Sequence, residues 1–310
     1  SGPFTVADFQ PGHSLKLARS DTYHGTKAAS NVVEFMQYSD ADALSKALTD
    51  GSLDMAAPVS ASTATGLNGK DGLTVKEGAT TDKVLLAYNN GIDSLLSDEQ
   101  ARKAFRYQID AAGIASAQPD AAGALGGPIS PLEPGYEDLT GLYPHDENQA
   151  GQMFSYFGAQ YLTTVNLVVP EEYRSLAETI KQQIERQPRP TVNLEVLSDE
   201  DYAKRIKDGK WELTVMSMDG TDDAGIFADP DSMFHYDHTE AQQAYADARA
   251  ATNDADYEAR MKAYARLISE DAASDWLYTR KCFTVASTKV SGYPTSMINR
   301  RMPLAGLTVK

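Results

Sequence analysis

The stretch from Thr163 to Met218 constrains the fold of this chain more than any other. Thr163–Val169 is a run of β-branched and apolar residues that reads as a strand, Glu171–Arg186 has helical spacing, and Thr191–Leu197 reads as a second strand. Ser198 opens a helix over Asp199–Asp208 that Gly209 closes, and Glu212–Met218 is a third strand. Strands joined through helices with short connections run parallel and cross over in the right-handed sense. In such sheets ligands bind beyond the carboxyl ends of the strands. The loop leaving Met218 falls on that edge and holds five acids in thirteen residues: Asp219, Asp222, Asp223, Asp229 and Asp231. The expected class is α/β.

The flanking regions are less regular. Thr5–Phe9, Ser14–Arg19, Val32–Tyr38 and Lys83–Tyr88 read as strands, and Ala41, Leu44, Ala47 and Leu48 predict a short helix between Ser39 and Gly51. Residues 60–72, rich in Ser, Thr, Gly and Asn, read as an exposed loop. Ser97 with Gln100 forms a capping box, and Ala101, Ala104, Phe105, Gln108 and Ile109 predict one helix from Asp98 to Ile114. Pro119, Pro128, Pro131, Pro134 and Pro144 exclude a regular element over residues 117–145. Asp146 with Gln149 caps a helix ending at Gly158, and Thr239 with Gln242 opens another that runs to about Thr252. Asp254–Asp271 places Tyr257, Met261, Tyr264, Leu267 and Ile268 on one helix face, and Lys281–Ser287 returns to strand. Trp211 and Trp276 are expected in the core, whereas Tyr136 either walls a pocket or covers an edge.

Composition removes several function classes. A chain of 310 residues has room for about two domains. Its net charge of −16 repels a phosphate backbone, so nucleic acid is not an expected partner. No window approaches 18 apolar residues, and Ser1-Gly2-Pro3-Phe4 shows neither a charged leader nor an apolar stretch, so no membrane span or signal peptide is visible. A strand already under way at Thr5 suggests a piece of something longer. Cys282 alone permits no internal disulfide or thiolate metal cluster, and leaves the redox compartment undetermined. Gly-x-Ser-x-Gly, Gly-x-x-x-x-Gly-Lys and His-Glu-x-x-His are all missing. An enzyme is therefore not expected, and a carboxylate-based hydrolase is the remote rival.

Two side-chain groups invite a metal reading. His235-x-x-His238, with Asp231 and Asp237 nearby, offers imidazole and carboxylate ligands but no placed third ligand. Asp219-Gly220-Thr221-Asp222-Asp223 hints at calcium, yet the twelve-residue loop ending in Glu is missing. No metal and no cofactor are expected.

The order of short motifs resembles a known family. Ser1-Gly2-Pro3-Phe4 resembles a Gly-Pro-aromatic opening, and Asp40-Ala41 followed by Ala47-Leu48-Thr49-Asp50-Gly51-Ser52-Leu53-Asp54 resembles a signature around a short helix. Leu86-Ala87-Tyr88-Asn89, then Ala101-Arg102-Lys103-Ala104-Phe105-Arg106-Tyr107-Gln108-Ile109-Asp110, resembles a hinge strand and its helix. Tyr143-Pro144-His145-Asp146, Lys204-Arg205-Ile206-Lys207-Asp208-Gly209 and Asp229-Pro230-Asp231-Ser232-Met233-Phe234 follow in order. Together these resemble the extracellular solute-binding proteins of family 5, the peptide/nickel class serving ABC transporters.

The resemblance implies a two-lobed periplasmic-binding-protein-like fold (type II, cluster C), incomplete at the N-terminus. Residues 1–87 would be the later part of lobe I, 88–275 a second α/β lobe, and 276–310 the return to lobe I. The implied function is capture of peptides or similar cationic small solutes by lobe closure, as a monomer outside the cell that hands its ligand to ABC permease subunits. Members are periplasmic or anchored to the cell surface by a lipid. The alternative is a metallophore or nickel-complex binder of the same fold. In peptide-binding members an aspartate just before Asp-Pro-Asp takes the ligand's ammonium, which nominates Asp222, then Asp223, with Asp219 beside them. Tyr88 and Asn89 fall at the hinge, and Met218 stands where the family often has Trp. The same acids also read as a solvated loop face, and Tyr88 also reads as a core strand residue.

Overall fold

The computed structural model describes residues 2–156, 164–220 and 222–310. Ser1, Gly158, Thr163 and Thr221, which enter the expectations above, lie outside the described residues. The backbone divides into two units, Ser1–Thr80 with Lys281–Lys310, and Thr81–Arg280.

In the first unit, β1 (Phe4–Gln10), β2 (Ser14–Arg19) and β3 (Val32–Met36) form an antiparallel meander. Helix α1 (Ala41–Asp50) follows; its cap is Asp40, whose carboxylate accepts from the Ala43 amide at 2.7 Å, and Gly51 ends it at φ 79°. After β4 (Met55–Val59) comes α2 (Ala61–Leu67), which corrects the loop expected over residues 60–72. The Ser60 hydroxyl accepts from the Thr63 amide, and Ala64 and Leu67 bury one turn apart beside Leu48, Val59 and Val285. The periodicity of Ala61, Ala64 and Leu67 was hidden by Ser and Thr, residues more common in caps and turns than in helix interiors.

Strand β5 (Leu73–Tyr88) starts in the first unit and ends in the second. The second unit continues with α3 (Glu99–Gln108), α4 (Ala111–Ala117), β6 (Ala121–Ala124), α5 (Glu147–Tyr156), β7 (Thr164–Pro170) and α6 (Arg174–Ile184). It closes with β8 (Thr191–Leu197), α7 (Asp199–Lys207), β9 (Leu213–Met218), α8 (Thr239–Arg249) and α9 (Asp254–Glu270), from which β10 (Ser274–Ser287) returns to the first unit. There its last residues pair with β4, and β11 (Val290–Ser291) pairs with β12 (Thr308–Val309).

The expected class holds: β7 runs parallel to β8 and to β9, and the sheet order β10-β5-β9-β7-β8 places β5 antiparallel against β9. Both faces of this sheet are covered. Val84, Leu86 and Tyr88 of β5 pack with Phe105 and Ile180 on one side, and Leu85 and Ala87 pack with Trp211, Phe227 and Trp276 on the other. That double burial explains why β5 reads as a continuous apolar run rather than an alternating one.

Several boundaries differ from expectation. The helix expected over 98–114 is two helices, because Ile109 is extended (φ −84°, ψ 122°) and Asp110 caps α4 by accepting from the Gly113 amide at 2.8 Å. The Asp110 amide, which would otherwise continue the helix, donates to Gln183 Oε1 at 2.8 Å. Asp98 rather than Ser97 caps α3, and His238 rather than Thr239 caps α8. The Pro-rich stretch contains β6, which pairs with β10, and β10 itself reaches back to Ser274. The segment expected as a helix from Glu171 opens with a 3-10 turn over Glu171–Tyr173.

Candidate functional site

The pairing of Lys83 with Met218 sets the residue before β5's apolar run against the carboxyl end of β9, at the edge where parallel sheets bind ligands. Lys83 is 1% exposed, and a charged group so buried needs partners. Its Nζ lies 2.7 Å from Glu133 Oε2 and 3.0 Å from Asp223 Oδ1, and donates to the Thr81 carbonyl at 3.2 Å. Glu133 also accepts from the Ser130 amide at 2.8 Å, and Asp223 Oδ2 from the Gly220 amide at 3.2 Å. Burial pushes the Asp223 carboxyl above its usual range, with Lys83 acting in the opposite sense and Glu133 adding to the rise.

The rest of the loop is built on its own partners. Asp222 is left-handed (φ 66°), a conformation Asp tolerates better than most residues, and it precedes a 3-10 turn over Asp223–Ala228. Its Oδ2 accepts from the Tyr245 hydroxyl at 2.6 Å and lies 3.1 Å from Arg249 Nη1. Burial raises the Tyr245 hydroxyl, and the Asp222 carboxylate raises it further. Asp219 accepts from the Thr81 hydroxyl. On the opposite face of β5, Arg280 lies 3.5 Å from Asp82 and 3.3 Å from Asp120, and donates to the Tyr173 hydroxyl at 3.2 Å. On the Lys83 face these groups comprise four carboxylates (Glu133, Asp219, Asp222 and Asp223) and two cations (Lys83 and Arg249), so the edge favours an added cation over an anion.

The structure brings Asp219, Asp222, Asp223 and Met218 together but does not bring Tyr88 and Asn89 to them. Tyr88 pairs with Leu213 at the other end of β9, is fully buried, and packs on Phe105 with ring centroids 6.3 Å apart. Asn89 donates from Nδ2 to the Trp211 carbonyl at 2.9 Å. Six residues of extended strand separate Asn89 from Lys83, about 20 Å at roughly 3.3 Å per residue. Met218 is half-buried against the core that holds Trp211 and Trp276, and Tyr136 packs there too.

His235 and His238 also stand apart from the loop acids' cluster. His235 (φ 48°) lines an open polar groove of about 780 Å³ with Asn166, Arg205 and Glu212 at the amino ends of β7 and β9. His238 Nδ1 accepts from the Ala241 amide at 3.3 Å, and its ring stacks on Tyr236 at 5.6 Å. Among the described residues no group of three or more His, Cys, Asp or Glu is placed to hold a metal ion, and no helix is long and apolar enough to cross a membrane.

Sequence reasoning missed Lys83, Glu133, Tyr245, Arg249 and Arg280. Lys83 was the one with a signal, a lysine opening the apolar run Val84-Leu85-Leu86-Ala87, which implies a buried partner. Glu133 lies in the Pro-rich stretch, and no spacing rule joins it to Lys83 or Asp223.

Comparison with known proteins bears on this arrangement. Residues 1–245 match the family described as bacterial extracellular solute-binding proteins, family 5 Middle. No curated protein matches the sequence. Among solved structures, the ABC transporter substrate binding protein CtaP from Listeria monocytogenes superposes with TM-score 0.86 at 15% identity, covering 100% of this chain and 66% of that one. The periplasmic binding protein DppA from Helicobacter pylori, in complex with peptide STSA, gives 0.78 at 18% identity, covering 99% and 62%. NikA from Brucella suis, in complex with Fe(III)-EDTA, gives 0.79 at 16% identity, covering 100% and 68%. The chain thus spans about two thirds of these proteins, and at such identities the likeness is one of fold.

Proposed function

Since the chain belongs to the bacterial extracellular solute-binding proteins of family 5, we propose that it is the solute-capturing component of an ABC importer, taking peptides or similar cationic small solutes by lobe closure. Family and fold are those of binding proteins rather than enzymes. The observation that carries the ligand class is the acidic edge of the second unit, where four carboxylates lie on one face with two cations. A carboxylate facing an ammonium makes a charge-assisted hydrogen bond and needs little else from the ligand's side chains. In this reading Asp219, Asp222 and Met218 line the ligand site, and Asp223 lies behind them, paired with Lys83. In this reading lobe I is the unit of residues 1–80 and 281–310 and the second lobe is residues 81–280, seven and five residues from the boundaries the resemblance implies. The ligand shifts the population from open to closed, and the closed form is what the permease subunits accept. The protein works as a monomer outside the cell, in a periplasm or lipid-anchored at the surface.

Thermal unfolding against short peptides, their N-acetylated forms, amino acids and nickel–histidine tests this reading. A ligand that binds only the native state raises the midpoint, by about 2.7 kcal/mol of stability at a hundredfold excess over its dissociation constant. A saturable rise with free-amine peptides that is lost in Asp219→Asn or Asp222→Asn is the expected result. A rise only with nickel–histidine that depends on His235 or His238 would replace the peptide reading with the metal-complex one.

A further inference from the structure

We propose that Lys83 is a built-in ammonium that fills the anionic subsite formed by Glu133 and Asp223, and so sets ligand specificity by exclusion; this rests on the solute-capture reading above. The acceptors around its Nζ are two carboxylates at 2.7 and 3.0 Å and one main-chain carbonyl at 3.2 Å. An ammonium has three donors, and all three acceptors lie within reach of them. Two carboxylates and a backbone carbonyl also make a set suited to the α-ammonium of an extended peptide. The protein's own side chain is already there.

Displacement by a ligand is unfavourable. Lys83 is 1% exposed and sits on a strand held between β9 and β10, so its stem has little room to withdraw. A competing amine would strand the Lys83 charge in the interior, which costs far more than one exchanged contact returns. The Asp223 side chain is only 8% exposed and that of Glu133 18%, so both remain committed to Lys83. Of the aspartates nominated from sequence, Asp223 therefore does not read the ligand's amine. A buried ion pair is weak evidence for stability in itself; here its effect is to tie the Pro-rich stretch and the loop after β9 to one strand.

The test is chemical rescue. Lys83→Ala keeps Cβ and leaves a space the length of a propyl chain ending between two carboxylates. n-Propylammonium should raise the unfolding midpoint of Lys83→Ala saturably, and should not do so for the wild type or for Lys83→Ala combined with Asp223→Asn. Neutral n-propanol should have no such effect. Should Lys83→Ala fail to fold, refolding yield with n-propylammonium against sodium becomes the readout, and a gain is again expected. No response to n-propylammonium in either format overturns the subsite while leaving solute capture standing. Exclusion has its own readout in the Lys83-containing protein. There, Asp223→Asn should preserve the preference for a free-amine peptide over its N-acetylated form, and loss of that preference would overturn it. Propylammonium rescue without any peptide binding would count against the peptide reading and keep the subsite.

Discussion

Asp275, at the start of β10, is 2% exposed, with its Oδ1 3.2 Å from Arg106 Nε. Arg106 also donates to the Ser274 carbonyl at 3.0 Å, and its guanidinium lies 4.9 Å from the Tyr143 ring. Burial pushes the Asp275 carboxyl from its ordinary 3.8 up to about 7, against the pull of Arg106. The folded state therefore binds this proton more tightly than the unfolded chain does. Between about pH 4 and pH 7 the group's contribution to stability falls as pH rises, by about 4 kcal/mol across the window. Urea unfolding of the wild type and Asp275→Asn at several pH values checks the sign: the stability difference, wild type minus variant, should decline through that window. A flat difference would show that Asp275 stays ionised in the folded protein throughout. Nothing around Asp275 in the sequence announces Arg106, because the two meet through tertiary packing alone. Lys83 is similar, since its run implies a buried partner without saying which.

At the scale of elements, local pattern succeeded where one side chain period ran unbroken and failed where a distant group intervened. The run Thr191–Leu197 is the observed β8, and Ser198 caps α7 as its position predicts. The helix expected over 98–114 breaks because Gln183, on α6, takes the Asp110 amide at 2.8 Å, while its carbonyl accepts from Gln108 Nε2 at 2.6 Å. Helical spacing continues through the break, so the sequence carries no sign of it. Gln183→Ala should leave the Asp110 amide without its partner, in a site where Gln183 itself is 7% exposed, and cost about 1–3 kcal/mol. Chemical denaturation measures it, and a loss below about 0.5 kcal/mol would mean that water or a neighbour replaces the amide's acceptor. The Ser- and Thr-rich α2 failed in the other direction, since its Ser and Thr residues read as a loop and hid its single buried edge.

For the whole molecule, a net charge of −16 makes self-repulsion a term in stability. Raising ionic strength from about 0.01 M to about 0.15 M shortens the screening length from roughly 30 Å to roughly 8 Å. Exposed ion pairs such as Lys46–Asp50 contribute little, so relief of repulsion should dominate and the unfolding midpoint should rise. A falling midpoint on the same titration would show that exposed pairs outweigh the net charge. The α/β class, the parallel unit around β7, β8 and β9, and the acidic loop after β9 were determined by sequence alone. They depend on periodicity and on short-range connection rules, which are written in consecutive residues. Tertiary structure alone decided that Lys83, Glu133 and Asp223 converge and that Asp222 faces Tyr245 and Arg249. It alone placed Tyr88 and Asn89 at the far end of β5 from the loop. Those facts follow from strand register and from which loops fold onto one sheet edge, where residues far apart in the chain meet because burying their charges requires it.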